Sequence, residues 1–178
     1  MRRLLVLAAA ATLLVACGGG DKADEPLPEA AATLKLESPA FRDGGAMPKR
    51  FSCDGDEVSP PLSWSGVPAG ARELALVMED PDADHFVHWT VLNIAPDTKG
   101  FDEGRLPPDV IETENTFGKR GYGGPCPPEG DDPHHYVFAL YALRKPLGLG
   151  AGASPDEVRD AVSGDALARG ELTGRFGR

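Results

Sequence analysis

Three segments constrain the fold more than anything else in the chain: Glu73–Asp80 (ELALVMED), His85–Ile94 (HFVHWTVLNI) and His135–Leu143 (HYVFALYAL). Each is short, apolar and rich in β-branched or aromatic side chains. The first is closed by Asp80-Pro81-Asp82 and the second by Ala95-Pro96-Asp97, neither of which continues a strand. Length, punctuation and residue type all favour buried strands over helices. Shorter strands are expected at Leu34–Glu37 and Glu171–Phe176. One segment reads as helix: Ser154 as N-cap, Pro155 in the first position, Asp156 and Glu157 in the first turn, then Val158, Ala161 and Val162 at helical spacing. Gly164 is expected to end it, with Asp165–Arg169 as a second helical turn. The reading is mainly β, a β-sandwich with one or two short helices near the C-terminus.

The N-terminus is an address rather than part of the fold. Arg2 and Arg3 precede an apolar run, Leu4–Leu14, too short to span a bilayer as a permanent helix. Residues 1–16 read as a signal peptide, and Leu14-Val15-Ala16-Cys17 resembles the bacterial lipobox, in which the cysteine is lipidated and becomes the first mature residue. Cleavage nearby with a free cysteine is the alternative. Loss of Arg2 and Arg3 takes the net charge from −10 to −12. Residues 17–33 then comprise the lipidated cysteine and a Gly-, Ala-, Pro- and acid-rich flexible tether, reaching roughly 50 Å if fully extended. Residues 34–178 form one domain. The acidic balance excludes a sequence-independent nucleic-acid binder, which needs basic groups to neutralise phosphates.

The histidines fall in two clusters at strand beginnings. One is Asp80-Pro81-Asp82-Ala83-Asp84-His85-Phe86-Val87-His88; the other pairs the loop Gly121–Pro128 (GYGGPCPP) with His134-His135-Tyr136. Period two along a strand puts His134 and Tyr136 on one face and His135 on the other. His88, His134 and Tyr136 are expected to converge with Asp80 or Asp82 on a small pocket. His85 and His88 on one strand point to opposite faces, so a zinc site would need ligands from both clusters, and no metal or other cofactor is expected. Neither cluster holds a serine nucleophile. Cys126 lies near histidines, which leaves a thiolate nucleophile as one reading. The preferred one is a Cys53–Cys126 disulfide, the even pair left in an exported protein once Cys17 is lipidated. The remaining chemistry is anion binding by loop N–H groups, imidazoles and a tyrosine hydroxyl, without a catalytic residue.

In chain order, Ser59–Trp64 (SPPLSW), Asp80-Pro81-Asp82-Ala83, Val87-His88-Trp89, Gly121–Pro128, His134–Phe138 (HHYVF) and Gly170–Gly177 (GELTGRFG) resemble the phosphatidylethanolamine-binding protein family, in its bacterial and archaeal Raf-kinase-inhibitor-like branch. The resemblance implies antiparallel sheets packed as a sandwich with a small anion pocket at one end. It places the pocket on Asp80, Asp82, His88, Gly124, Pro125, Cys126, Pro127, Pro128, His134 and Tyr136. It also implies phosphate-bearing ligands such as phosphoethanolamine, and it allows inhibition of a protease in the cell envelope through a surface loop. Asp84 stands where the family often has proline, and the Asp82–His88 link is short. An added acid at the rim, with Lys119 and Arg120 to offset it, and a thinner wall are expected there.

The leading functional reading is a non-enzymatic, membrane-tethered protein, exported and lipid-anchored in the cell envelope, that binds a small phosphorylated or anionic ligand. A protease-inhibiting interaction module is the second, and a hydrolase using His/Asp pairs or a metal is the third.

Overall fold

Alternation along the long apolar segments builds two layers and a third, thinner one. The computed structural model describes residues 26–178; the expected signal peptide, Cys17 and the first part of the tether lie outside the described residues. The elements in order are β1 (Ala32–Thr33), β2 (Lys35–Glu37), β3 (Gly45–Ala46), β4 (Leu62–Ser65), β5 (Glu73–Asp80), β6 (Phe86–Ile94), β7 (Gly100–Phe101), β8 (Ile111–Glu112), β9 (His134–Leu143), α1 (Pro155–Asp165) and β10 (Ala166–Phe176). The larger sheet runs β1-β10-β9-β5-β6-β8, with β3 also on β10, and the smaller runs β2-β4-β7. The long strands pair antiparallel, while the two-residue strands β1 and β3 join β10 in parallel.

β5 is buried at every position because both of its faces are covered. Leu74, Leu76 and Met78 face the smaller sheet with Phe138, Leu140, Trp64 and Phe101. Ala75 and Val77 face the other way, with Ala139 and Tyr141 and with Val158 and Val162 of α1. The two-residue period thus sorts one strand into two cores. The helix begins as its sequence directs. Ser154 Oγ accepts from the Glu157 N–H at 3.3 Å while Glu157 Oε2 accepts from the Ser154 N–H at 2.8 Å, a reciprocal capping box with Pro155 in the first turn.

Two expectations change. The helix runs through Gly164 to Asp165, and the second helical turn expected at Asp165–Arg169 is instead the start of β10, so there is one α-helix among the described residues. Ala168 sits fully buried beside β9, where strand pairing outweighs a weak local preference for helix. The long Gly100–Pro133 stretch carries β7 and β8 and is laced along the outer edge of β6: Thr113 N–H donates to Thr90 O, Thr116 N–H to Val87 O and Gly123 N–H to His88 O. The tether also ends earlier than residue 33. Leu27 is buried against the helix-side core, Tyr141 Oη donates to Pro28 O at 2.9 Å, and Arg169 Nη1 meets Glu29 at 2.8 Å. The only large apolar residue in that polar run is the one that docks.

Candidate functional site

At the end of the sandwich where β5 stops and β9 begins, side chains from three strands and the long loop enclose a cavity of about 200 Å³. Asp80 closes β5 on the face that carries Met78, and His134 and Tyr136 open β9 on the face that carries Phe138. His88 follows Phe86 by plain alternation, and β6 becomes irregular just after it. Met78 pairs with Trp89 but the next residue, Glu79, pairs with Val87, so His88 is an extra residue in β6. This bulge puts His88 and Trp89 on the same side of the sheet, where plain alternation would part them.

The hydrogen bonds fix most of the polar atoms. Asp80 Oδ2 accepts from His134 Nδ1 at 2.7 Å, and Asp80 Oδ1 accepts from the Asp82 N–H at 2.9 Å, capping the 3₁₀ turn Pro81–Ala83. His88 Nδ1 is 2.9 Å from Gly123 O. A carbonyl only accepts, so Nδ1 carries the proton and Nε2 is the ring nitrogen left for the cavity. Burial pushes the His88 imidazole below its usual value, against the pull of the Gly123 carbonyl and the Asp80 carboxylate. Tyr136 is fully buried, and its hydroxyl makes no hydrogen bond of standard geometry; Asp80 and the Cys126 N–H are its polar neighbours. Burial first, and then the Asp80 charge, holds that hydroxyl well above the ordinary tyrosine range.

Of the residues singled out from sequence, Asp80, His88, Cys126, Pro127, Pro128, His134 and Tyr136 line the cavity. Cys126 is bonded to Cys53 through a disulfide, which joins the loop to the segment after the Lys49–Phe51 turn. Asp82, Gly124 and Pro125 are not lining residues. Asp82 turns outward and accepts from the backbone N–H and Nδ1 of His135 at 2.7 and 2.8 Å. Slight burial works against its charge, but these two donors outweigh it and hold the carboxyl below the usual range. The expected cradle of loop N–H groups is also corrected: Gly123 N–H donates to His88 O at 3.0 Å and Gly124 N–H to Glu57 Oε1 at 3.3 Å. These glycines serve close approach instead. A Cβ on Gly123 would lie 2.7 Å from the Phe117 ring, and one on Gly124 would lie 2.6 Å from Phe51 O. Asp84, Lys119 and Arg120 are exposed and none of them lines the cavity.

Sequence reasoning missed Ala83, Phe86 and Phe117. Phe86 was within reach, since it lies two residues before His88. With Ala83 it supplies the wall that the short Asp82–His88 link was expected to lack. Phe117 had no readable signal. Asn115, buried inside its own turn, accepts from the Phe117 and Lys119 N–H groups and donates to Gly121 O, and that turn sets Phe117 edge-on to Phe86 and His88 with ring centroids 4.6 and 5.3 Å apart. Phe117 is 44% exposed, the one large apolar side chain so exposed among the described residues.

A second polar cluster lies behind the same strands, under α1. Glu79 Oε1 is 3.3 Å from His85 Nδ1, and Glu79 Oε2 is 3.7 Å from Arg159 Nη2. Arg159 Nε and Nη1 and Thr90 Oγ1 are buried without partners, beside a gap of about 10 Å³. Burial raises the Glu79 carboxyl above its usual value despite His85 and Arg159. His85 and His88 therefore face opposite sides of the sheet, as their strand spacing implies. Among the described residues, no three of His, Cys, Asp and Glu gather as a metal cluster. No helix among them is long and apolar enough to cross a membrane.

Comparison with known proteins places this geometry. The family model of phosphatidylethanolamine-binding proteins matches residues 37–177. The "UPF0098 protein" of Methanothermobacter thermautotrophicus is 45% identical over 82% of this chain and 99% of that protein. The Mycobacterium tuberculosis protein named "Putative lipoprotein LppC" is 42% identical over 89% of this chain and 86% of that one. The crystal structure of Escherichia coli YbcL, described as "a new member of the mammalian PEBP family", superposes with a TM-score of 0.78 at 31% identity, covering 83% of this chain and 99% of that one. The chain belongs to the phosphatidylethanolamine-binding protein family.

Proposed function

We propose that this protein is a non-catalytic, lipid-anchored binding protein of the cell envelope whose cavity takes a small ligand bearing phosphate or another oxyanion. The observation that carries the reading is the Tyr136 hydroxyl: fully buried, at the cavity wall, and without a hydrogen bond of standard geometry. Asp80 and the Cys126 N–H satisfy it only in part, and an aligned ligand oxygen recovers part of the about 1–3 kcal/mol that an unpaired buried group costs. His88 and His134 supply further polar atoms, while Phe86, Phe117, Pro127 and Pro128 make much of the remaining lining apolar. Binding without catalysis fits a lining in which the Cys126 sulfur is tied in a disulfide and no serine is present. The anchor rests on the lipobox-like Leu14–Cys17 and on the relative named as a lipoprotein. With Leu27 docked, the stretch from Cys17 spans at most roughly 35 Å, which keeps the cavity close to the membrane.

The test is calorimetric titration of the full chain in detergent with phosphoethanolamine, inorganic phosphate and acetate, in wild type and His134→Ala. Saturable binding of the phosphate compounds, weakened about tenfold or more in the variant, is expected. No heat up to millimolar ligand would remove the reading.

A further inference from the structure

The cavity is poor in positive charge for a site that takes an oxyanion. Among the described residues no Lys or Arg lines it, and its one carboxylate, Asp80, already holds His134 Nδ1 and the Asp82 N–H. The loop offers one donor there, the Cys126 N–H beside the Tyr136 hydroxyl, because the Gly123 and Gly124 N–H groups are bonded internally and Pro125, Pro127 and Pro128 have none. His88 Nε2 is an acceptor whenever that ring is neutral, because Nδ1 holds its proton against Gly123 O. The titratable groups facing His88 are Asp80, His134 and Tyr136; from the loop side it meets the Gly123 carbonyl and, beyond Gly124, Glu57.

Such a site has uncharged donors in Tyr136 Oη and the Cys126 N–H, and acceptors in His88 Nε2 and, while its ring is neutral, in His134 Nε2. A bare dianion entering it would leave water to face a carboxylate and a ring lone pair, with no fixed cation in return. A singly protonated phosphate fits both groups: one oxygen accepts from Tyr136, and its own P–O–H donates to His88 Nε2. We infer that the site selects oxyanions that carry a proton, the phosphate monoester monoanion above all, and rejects sulfate esters of the same shape and charge. The inference rests on the binding reading above and narrows its ligand class. Burial of His88, which disfavours charging the ring, acts in the same direction.

The probes are methyl phosphate and methyl sulfate, which differ little in size while only the first has a proton to give. Calorimetry on the full chain at about pH 7.5 in two buffers of different ionisation enthalpy measures both affinity and proton uptake; there a monoester with its second pKa near 6 is mostly dianion. Methyl phosphate is expected to bind roughly tenfold or more tightly than methyl sulfate, taking up close to one proton. His88→Gln, whose amide also offers a donor, should bring the two affinities together. Equal affinity in wild type, or methyl phosphate binding with no proton uptake, overturns the inference and leaves the binding reading standing. Binding of neither probe, nor of inorganic phosphate, removes both.

Discussion

Glu79 and Asp80 are neighbours in the chain, yet β5 sends them to opposite faces of one sheet, and each meets a histidine. Asp80 is held at 2.7 Å by His134 beside a cavity of about 200 Å³. Glu79 is held more loosely, at 3.3 Å from His85 and 3.7 Å from Arg159, beneath a helix and beside a gap of about 10 Å³. The same carboxylate–histidine chemistry is thus open to a ligand on one side and closed on the other. Charge pairs alone do not mark a functional site. The two regions are separated by the room next to the unpartnered polar atom.

The largest expected effect strikes the closed side. Arg159→Met leaves Glu79 buried with only His85 and the Leu27 N–H beside it and should lower unfolding stability by about 3–5 kcal/mol in urea titrations, with phosphate affinity of the folded protein unchanged. A loss below about 1 kcal/mol would mean the pair is solvated, and the contrast between the two sides would disappear.

On the open side, breaking the disulfide with Cys53→Ser and Cys126→Ser should cost about 2–5 kcal/mol, read from the urea midpoint. Binding should persist, since Tyr122 Oη still donates to Phe51 O at 2.8 Å and Cys53 N–H to Pro125 O at 3.1 Å. Complete loss of binding would show that these bonds cannot hold the loop by themselves.

Tyr136→Phe separates binding from folding. It removes a hydroxyl with no firm partner, so stability should stay within about 1 kcal/mol of wild type or rise, while phosphoethanolamine affinity falls about tenfold. A stability loss above about 2 kcal/mol would assign that hydroxyl a structural bond instead.

The smallest effect is in pH, where the two sides carry opposite signs. The lowered His88 value means that the unfolded chain binds the proton more readily. Its contribution to stability is present above the ordinary 6.5 and is lost as pH falls through the folded value. The raised Glu79 value works the other way: its contribution is present below the ordinary 4.5 and is lost as pH rises through the folded value. Urea midpoints from pH 4 to 8 should therefore flatten on the acid side in His88→Asn and on the neutral side in Glu79→Gln; identical profiles would contradict both assignments.

Much of the fold is legible in the sequence. Pro/Asp punctuation locates β5, β6 and β9 to within a residue or two, and Ser154–Glu157 locates the helix start, because those signals act locally. Cysteine counting finds the disulfide. Period two places His134 with Tyr136, and the ordered motifs find the family. The features that escape depend on contacts remote in sequence. Gly123 and Gly124 look like anion donors until the carbonyl of His88 and the carboxylate of Glu57 claim their N–H groups. Asp82 looks like a partner of Asp80 until His135 draws it outward. Gly164 looks like a helix stop, and Asp165–Arg169 like helix, until β9 pairs with Ala166–Phe176. The bulge that keeps Trp89 on the same side as His88 appears in no local pattern, because it is defined only by the register against β5.

The central claim is that the Asp80, His88, His134 and Tyr136 end of the sandwich binds a phosphate-bearing ligand. NMR of the ring signals of the four histidines in the full chain, titrated with phosphoethanolamine, tests it most directly. Saturable shifts are predicted at His88 and His134, with no shift at His85 behind the sheet and with the response in Tyr136→Phe moved to about tenfold higher ligand. Shifts that spread equally over His85 and His135, or none at millimolar ligand, would contradict it.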